Sequence, residues 1–392
     1  MSAEAVFADV TGGASASQWA ALAGGHLYST EPWLTFCATD IGGETRTGAL
    51  HVGTGDTAAA VTVTAVTTEN NSFYQWQDQL VARGLPAPGP VGLLVGQRRG
   101  YQTHLLARPG AGDHAGPLLE SLRKLRAEVP GTEVLPTAPR GPAPLVGVFL
   151  GTSDVAALRS AGADALPVLI ATDAWIPVAG GWPDYLRSLP SKGRRDSVKQ
   201  EVKAFAAAGY ELVEDTLPNS YVTAAGLLAR TQERYGHPYD LDVLTESFRR
   251  QAAAMGDKAR VLYCRLPGQP PVGYSLFYIH GDTLFVRAVG FAYDRLIPGA
   301  AEYFNLVYYA SVRIAAEHGL SWIHPGIESA DAKALRGARL RPLWLLDLAE
   351  DSVLRDSGDL IRAHNAAVVR RLGESSPAVA KAFDADQCLP YC

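Results

Sequence analysis

Apolar and polar positions alternate most clearly in the second half of the chain. Arg260–Arg265, Val272–Ile279 and Thr283–Phe291 read as strands, separated by Pro-Gly-Gln-Pro-Pro and His-Gly-Asp, both of them turn chemistry. Three sequential strands on short turns predict an antiparallel meander. The stretch Glu302–His318 places Phe304, Val307, Tyr308, Ser311 and Ile314 along one side of a helix. A further strand, Ser321–His324, stops at the turn Pro325-Gly326, and a short polar helix carrying Lys333 and Arg336 on one face is expected next. Leu343–Leu348 is the last strand expected. Upstream, helices are predicted over Trp182–Leu189, Ser191–Ala208, Pro218–Tyr235 and Leu241–Met255.

The first half follows a similar plan. Gln18–Cys37 reads as a helix, a turn and a second helix whose buried side is Trp33, Leu34 and Phe36. Gly48–Val66 alternates and is rich in Val, Thr and Ala, the signature of paired strands. Phe73–Gly84 reads as helix or loop, Val91–Val95 and Tyr101–Leu106 as strands, and Pro117–Val129 as a helix with Leu118, Leu119, Leu122 and Leu125 inward. The prolines Pro136, Pro139, Pro142 and Pro144 exclude helix. Val146–Leu150 is then a strand, Ser153–Ala161 a helix and Val168–Ile176 another strand. Two domains, 1–165 and 166–392, suit the length and place the boundary near Leu166. Both halves read as helices, then antiparallel strands, then helix and strand, which fits a weak structural duplication.

Composition narrows the class. Abundant Ala and Gly, with Lys scarce relative to Arg, look like a high-GC bacterial coding bias, so alanine runs carry no functional reading. A net charge of −5 argues against a broad nucleic-acid surface and against DNA as a partner, while leaving room for a local basic patch. No run of 18 apolar residues is present, so no membrane span is expected, and the start Met1-Ser2-Ala3-Glu4 lacks a secretory pattern. A cytoplasmic location is the expectation. Cys37, Cys264, Cys388 and Cys392 are too scattered for a disulfide scaffold, and the terminal Cys-Leu-Pro-Tyr-Cys lacks further ligands for a metal, so a frayed tail with reduced thiols is expected.

Several residues carry candidate chemistry. Lys192, Arg194, Arg195, Lys199 and Lys203 form the densest basic patch, and the last three repeat at a spacing of four on a helix. They suit phosphate, or they are a solvated face balanced by Asp196 and Glu201. Lys333 and Arg336 after the Pro-Gly turn suit the stabilisation of an oxyanion, or they are surface cations. Glu328 and His324 are the nearest groups for handling a proton. Glu328 reads equally as a helix cap and His324 as a structural histidine. Arg287, Tyr278 and Tyr274 on the meander, and Tyr235, His237 and Tyr239 around a Gly-His-Pro turn, can line a cleft or serve the core. Asn305 and Tyr309, with Glu302 and Arg313, make a polar stripe on the long helix. No Ser/His/Asp order, Walker loop, zinc pattern or dinucleotide fingerprint is present.

The second half resembles the GNAT-like fold as used by FemABX-like aminoacyl transferases. The resemblance rests on Leu186-Arg-Ser-Leu-Pro-Ser-Lys-Gly-Arg-Arg195 with Val198, Lys199 and Phe205–Gly209, on Arg287–Gly290, and on Pro325-Gly326-Ile327-Glu328 through Lys333, Arg336 and Gly337. Trp19, Tyr28-Ser29 and Trp33-Leu34 resemble the opening of the same family. The resemblance implies an α+β protein of two tandem GNAT-like domains, each a mostly antiparallel mixed sheet flanked by helices, with the active cleft in the second domain and the first degenerate. It also implies transfer of an aminoacyl group from aminoacyl-tRNA to the amine of a small acceptor, such as a natural-product intermediate or cell-wall precursor. Lys333 would then stabilise the oxyanion, with no tightly bound cofactor and the tRNA acceptor stem as a possible partner.

Many GNAT enzymes hold the pyrophosphate of coenzyme A on a Gln/Arg-x-x-Gly-x-Gly/Ala loop. Tyr293-Asp-Arg-Leu-Ile-Pro-Gly-Ala-Ala-Glu302 departs from that pattern: Pro298 removes an amide donor and Glu302 adds a negative charge. In the first half, Gln97-Arg-Arg-Gly-Tyr-Gln102 meets only the front of the pattern and reads as an exposed turn. The alternatives are an acyl-coenzyme A-dependent N-acyltransferase of the same fold and a non-catalytic GNAT-like binding protein.

Overall fold

The computed structural model describes residues 3–53, 59–108, 110, 112–138, 142–237 and 239–392. Met1 and Ser2 of the chain start, Pro139 of the proline cluster and Pro238 of the Gly-His-Pro turn lie outside them. The strands are β1 (Gly43–Val52), β2 (Ala59–Glu69), β3 (Gly92–Val95), β4 (Leu106–Ala107), β5 (Leu145–Leu150), β6 (Val168–Pro177), β7 (Glu211–Thr216), β8 (Arg260–Arg265), β9 (Gly273–His280), β10 (Thr283–Phe291), β11 (Trp322–His324) and β12 (Arg339–Asp347). The chain forms two compact units. The first is Met1–Asp173 with Arg341–Glu374 and Phe383–Cys392, and the second is Ala174–Leu340 with Ser375–Ala382. The sequence break is therefore at Asp173, and the chain returns to the first unit after Leu340.

In the first unit β1 pairs antiparallel with β2, β2 with β3, and β5 with β12, while β3 and β5 run parallel. The helix Ala115–Glu128 lies in the crossover between the parallel strands and buries Leu118, Leu119, Leu122 and Leu125, as their spacing predicts. Trp19, Trp33, Trp76 and Trp344 are fully buried, and the Trp19 indole donates to the Ser29 carbonyl at 2.8 Å. The stretch expected as a strand over Tyr101–Leu106 is mostly loop, in which Gln102 and Thr103 are buried.

Two expectations in this unit are corrected. Gln97–Gln102 is not an exposed turn: Arg98 is 0% and Gln102 6% exposed. Arg98 Nε and Nη2 donate to the Glu69 carboxylate at 2.7 and 3.0 Å, and Arg99 Nε donates to Asp40 at 2.5 Å. The loop amide of Gly100 donates to the side chain of Gln97 at 3.1 Å. The cysteine tail is not frayed either. Ala385–Tyr391 is helical, Cys388 is buried, Tyr391 packs edge-on against Trp344 at 5.1 Å, and Asn365 donates to the Tyr391 carbonyl. Cys388 and Tyr391 are the buried contacts that dock the tail, while Leu389 and Pro390 are exposed.

In the second unit β7, β8, β9 and β10 form an antiparallel run, β10 pairs parallel with β11, and β11 pairs antiparallel with β6. The predicted meander is present. The polar edge strand β7 was not anticipated, since Glu211-Leu-Val-Glu-Asp-Thr216 lacks a clean apolar face. The helix Glu302–His318 is present but contains a wide π turn over Asn305–Tyr309, all five residues of which are buried. Close packing of the helix Leu217–Arg234 requires Gly290, where a Cβ would lie 2.6 Å from the backbone of Leu227 and Leu228. Each unit thus holds one parallel strand pair joined through a helical crossover.

Candidate functional site

The site expected from the sequence lies where β10 outruns β11. The parallel pairing covers Thr283–Phe285 against Trp322–His324, whereas β10 continues to Phe291 with pairing only to β9. A bulge falls at Arg287, between Val286 and Ala288. Bulges re-aim side chains and locally end regular pairing. Arg287, Ala288 and Val289 are part-exposed on this splayed stretch.

After β11 the chain turns at Gly326 (φ 83°), and Ser329 takes a left-handed φ of 59° before the helix Ala330–Ala334. A non-glycine residue in this region carries strain of order 1 kcal/mol or more and tends to occur at functional positions. Lys333 is on that helix and is 5% exposed. Arg336 lies just beyond it, because the helix ends at Ala334 rather than continuing through both cations. The helix is held in part by Ser376, whose hydroxyl donates to Asp331 at 2.6 Å. Glu328 is exposed, and the residue preceding the helix is Ser329 rather than Glu328. His324 is fully buried, with its ring 5.1 Å from Trp175 and 5.4 Å from Phe285.

Four of the expected residues meet at Glu201, which the sequence reading treated only as a counter-charge. The Tyr309 hydroxyl donates to Glu201 Oε2, and Arg336 Nη2 donates to the same oxygen at 3.3 Å. Arg194 lies 3.8 Å from Oε1, and the Asn305 amide donates to the Glu201 carbonyl at 3.0 Å. Arg336 is 2% exposed and stacks over the Phe304 ring at 3.4 Å. Burial and the bond to Glu201 raise the Tyr309 pKa above its ordinary value, and burial does the same for Tyr185 beside it. Asn305 and Tyr309, four apart, both reach this cluster from the π turn. No spacing rule for a regular helix would have found Glu201.

The other expected residues are more dispersed. Lys192, Lys199 and Lys203 are exposed along the helix Lys192–Ala207, while Arg195 is half-buried and donates to the Leu189 carbonyl at 3.5 Å. Tyr274 and Tyr278 are buried, and Gln251 donates to the Tyr278 hydroxyl at 2.6 Å. Tyr235 is 62% exposed and meets the Tyr293 ring edge-on at 6.2 Å.

The segment before the helix at Glu302 is closed by its own side chain. Glu302 is 5% exposed and its Oε1 accepts from the Ile297 amide at 2.8 Å. The Tyr210 hydroxyl accepts from the same amide at 3.2 Å and is hydrogen-bonded to Glu302. Burial, followed by the Glu302 charge, pushes the nearby Cys264 thiol up to about 12. A carboxylate therefore already sits on the amide that an anion would otherwise take.

FemX superposes on this chain with a TM-score of 0.53 at 11% identity, covering 85% of this chain and 93% of FemX. The fold is GNAT-like, of the FemX type. A conserved protein of unknown function from Bacteroides thetaiotaomicron VPI-5482 gives a TM-score of 0.50 at 11% identity, with 88% and 95% of the two chains covered. L-PGS from Bacillus licheniformis gives 0.48 at 11% identity, with 90% and 92% covered. No protein-family model matches the chain, and no curated protein matches it in sequence. The α+β class and the FemABX-like resemblance expected from the sequence agree with this fold. Among the described residues no helix is long and apolar enough to cross a membrane, and no cluster of His, Cys, Asp or Glu could hold a metal ion.

Proposed function

We propose that this chain is a transferase that moves an aminoacyl group from aminoacyl-tRNA to the amine of a small acceptor, forming an amide. The observation that carries this reading is the Glu302 carboxylate bonded to the Ile297 amide, in the segment where a coenzyme pyrophosphate would be expected. A donor held by other means is favoured, and the exposed Lys192, Lys199 and Lys203 supply cations for the phosphates of an acceptor stem. FemX, whose fold the chain shares, is consistent with the choice of family but does not identify the substrate.

In this reading the acceptor nitrogen attacks the ester carbonyl of the donor. The C–N bond forms, the C–O ester bond breaks, and the tRNA 3′ oxygen leaves as a hydroxyl after receiving a proton. Lys333 stabilises the oxyanion that develops on the carbonyl, and its burial strengthens that interaction by excluding water. Glu328 assists removal of the proton from the attacking amine. Arg336, held by Glu201 and Phe304, fixes the turn that follows the Lys333 helix.

The test uses bacterial tRNA charged with labelled amino acids, the full chain and a small-molecule extract. Label is expected to move from acid-precipitable tRNA into an amide in the small-molecule fraction. Movement of label from acetyl-coenzyme A instead, with none from tRNA, would assign the donor to the coenzyme.

A further inference from the structure

We infer that Arg287 receives a carboxylate of the substrate, so that the small molecule bound in the second unit is an amino acid or carries an amino-acid-like end. This deepens the transferase reading and rests on it for the identity of the site. Three observations converge. First, the bulge places Arg287 on the stretch of β10 that has left β11, and the residue is part-exposed there. A bulge is a local device for turning one side chain out of the regular alternation.

Second, the paired strand β9 carries two buried phenols on either side of the bulge, Tyr274 opposite Gly290 and Tyr278 opposite Phe285. The positive charge of Arg287 acts on both Tyr274 and Tyr278, opposing the effect of burial on their pKa values. Gln251, itself 3% exposed, donates to the Tyr278 hydroxyl and fixes that ring. Third, the Tyr274 hydroxyl is fully buried and has no hydrogen-bond partner among the described residues. An orphaned buried donor costs about 1–3 kcal/mol, a cost relieved when an acceptor arrives. A planar guanidinium with a phenol donor on the paired strand suits a carboxylate, which accepts two parallel bonds from the fork and a further one from a hydroxyl. Lysine in place of arginine would keep the charge but lose the fork.

Binding is measured without turnover, so the result does not depend on the donor. The full chain is melted in the presence of each proteinogenic amino acid, of the corresponding amino-acid amides, and of inorganic phosphate. At least one amino acid is expected to raise the melting temperature while its amide does not. In R287Q that difference is expected to disappear, with a loss of at least about tenfold in affinity by calorimetry, and R287K and Y274F are expected to fall in between. If R287Q is misfolded by circular dichroism, R287K and Y274F decide. Equal shifts from amino acids and their amides would overturn the inference. So would a shift from phosphate alone, or full retention of the preference in the folded variants. An amino-acid shift without any label transfer from charged tRNA would leave this inference standing and remove the proposed reaction.

Discussion

The two units handle buried charge in opposite ways. In the first, Arg98 and Arg99 face Asp40 and Glu69, two cations against two anions, with the Arg98 carbonyl also accepting from the Cys37 thiol. The loop that carries them is filled by its own side chains. In the second, Arg194 and Arg336 share the single carboxylate of Glu201, and Lys333 is buried on the neighbouring turn. A balanced cluster locks a fold. The Glu201 cluster instead gathers two cations on one part-exposed carboxylate. Under the proposed function, the first unit serves as scaffold and the second carries the chemistry.

The largest expected effect breaks the first cluster. R98M leaves the buried Glu69 without its main partner, and a loss of about 3–5 kcal/mol in stability is expected from urea denaturation. R336M should cost less, about 1–3 kcal/mol, because Glu201 is part-exposed and keeps Tyr309 and Arg194. Equal costs would erase the distinction between the units. For function the order reverses. K333M is expected to lower label transfer from charged tRNA by about 10²–10³-fold with the fold intact, whereas R98M at a temperature where it remains folded should not.

Alkaline titration sharpens the same contrast. Burial raises the pKa values of Tyr185, Tyr274, Tyr278 and Tyr308, all in the second unit, above the ordinary phenol value of 10.0. With the folded value above the unfolded one, each tyrosine favours folding while it stays protonated, so this contribution is complete below pH 10.0 and lost as the pH rises. Tyrosinate absorbance against pH should show these phenols titrating together with loss of near-ultraviolet dichroism. Independent, gradual titration with no structural change would contradict their burial. The smallest effect concerns the exposed basic face. Replacing Lys192, Lys199 and Lys203 with Ala should weaken tRNA binding modestly and lower its log–log salt slope by about one per lysine.

Much of the second unit was legible because its signals are local. Pro-Gly-Gln-Pro-Pro and His-Gly-Asp mark the meander turns, and Pro325-Gly326 marks the end of β11. What escaped depends on contacts between distant segments. Glu201 looked like a solvated acid until Tyr309 and Arg336 closed over it, more than a hundred positions away. Arg98 and Arg99 looked like an exposed turn because partners at Asp40 and Glu69 have no sequence signature. The helix Gly358–Ser375 buries only Ile361 and Asn365 and so carries no long apolar stripe, and the return of the chain to the first unit after Leu340 has no local signature. The π turn at Asn305–Tyr309 shifts the helical period, so a stripe read at spacings of three and four blended core with site.

The most direct test of the central claim is a calorimetric titration of the intact chain with acetyl-coenzyme A. With the Ile297 amide already bonded to Glu302, the expected result is no saturable heat, under conditions where labelled aminoacyl-tRNA is consumed. Tight saturable binding of the coenzyme, with no transfer from charged tRNA, would contradict the account.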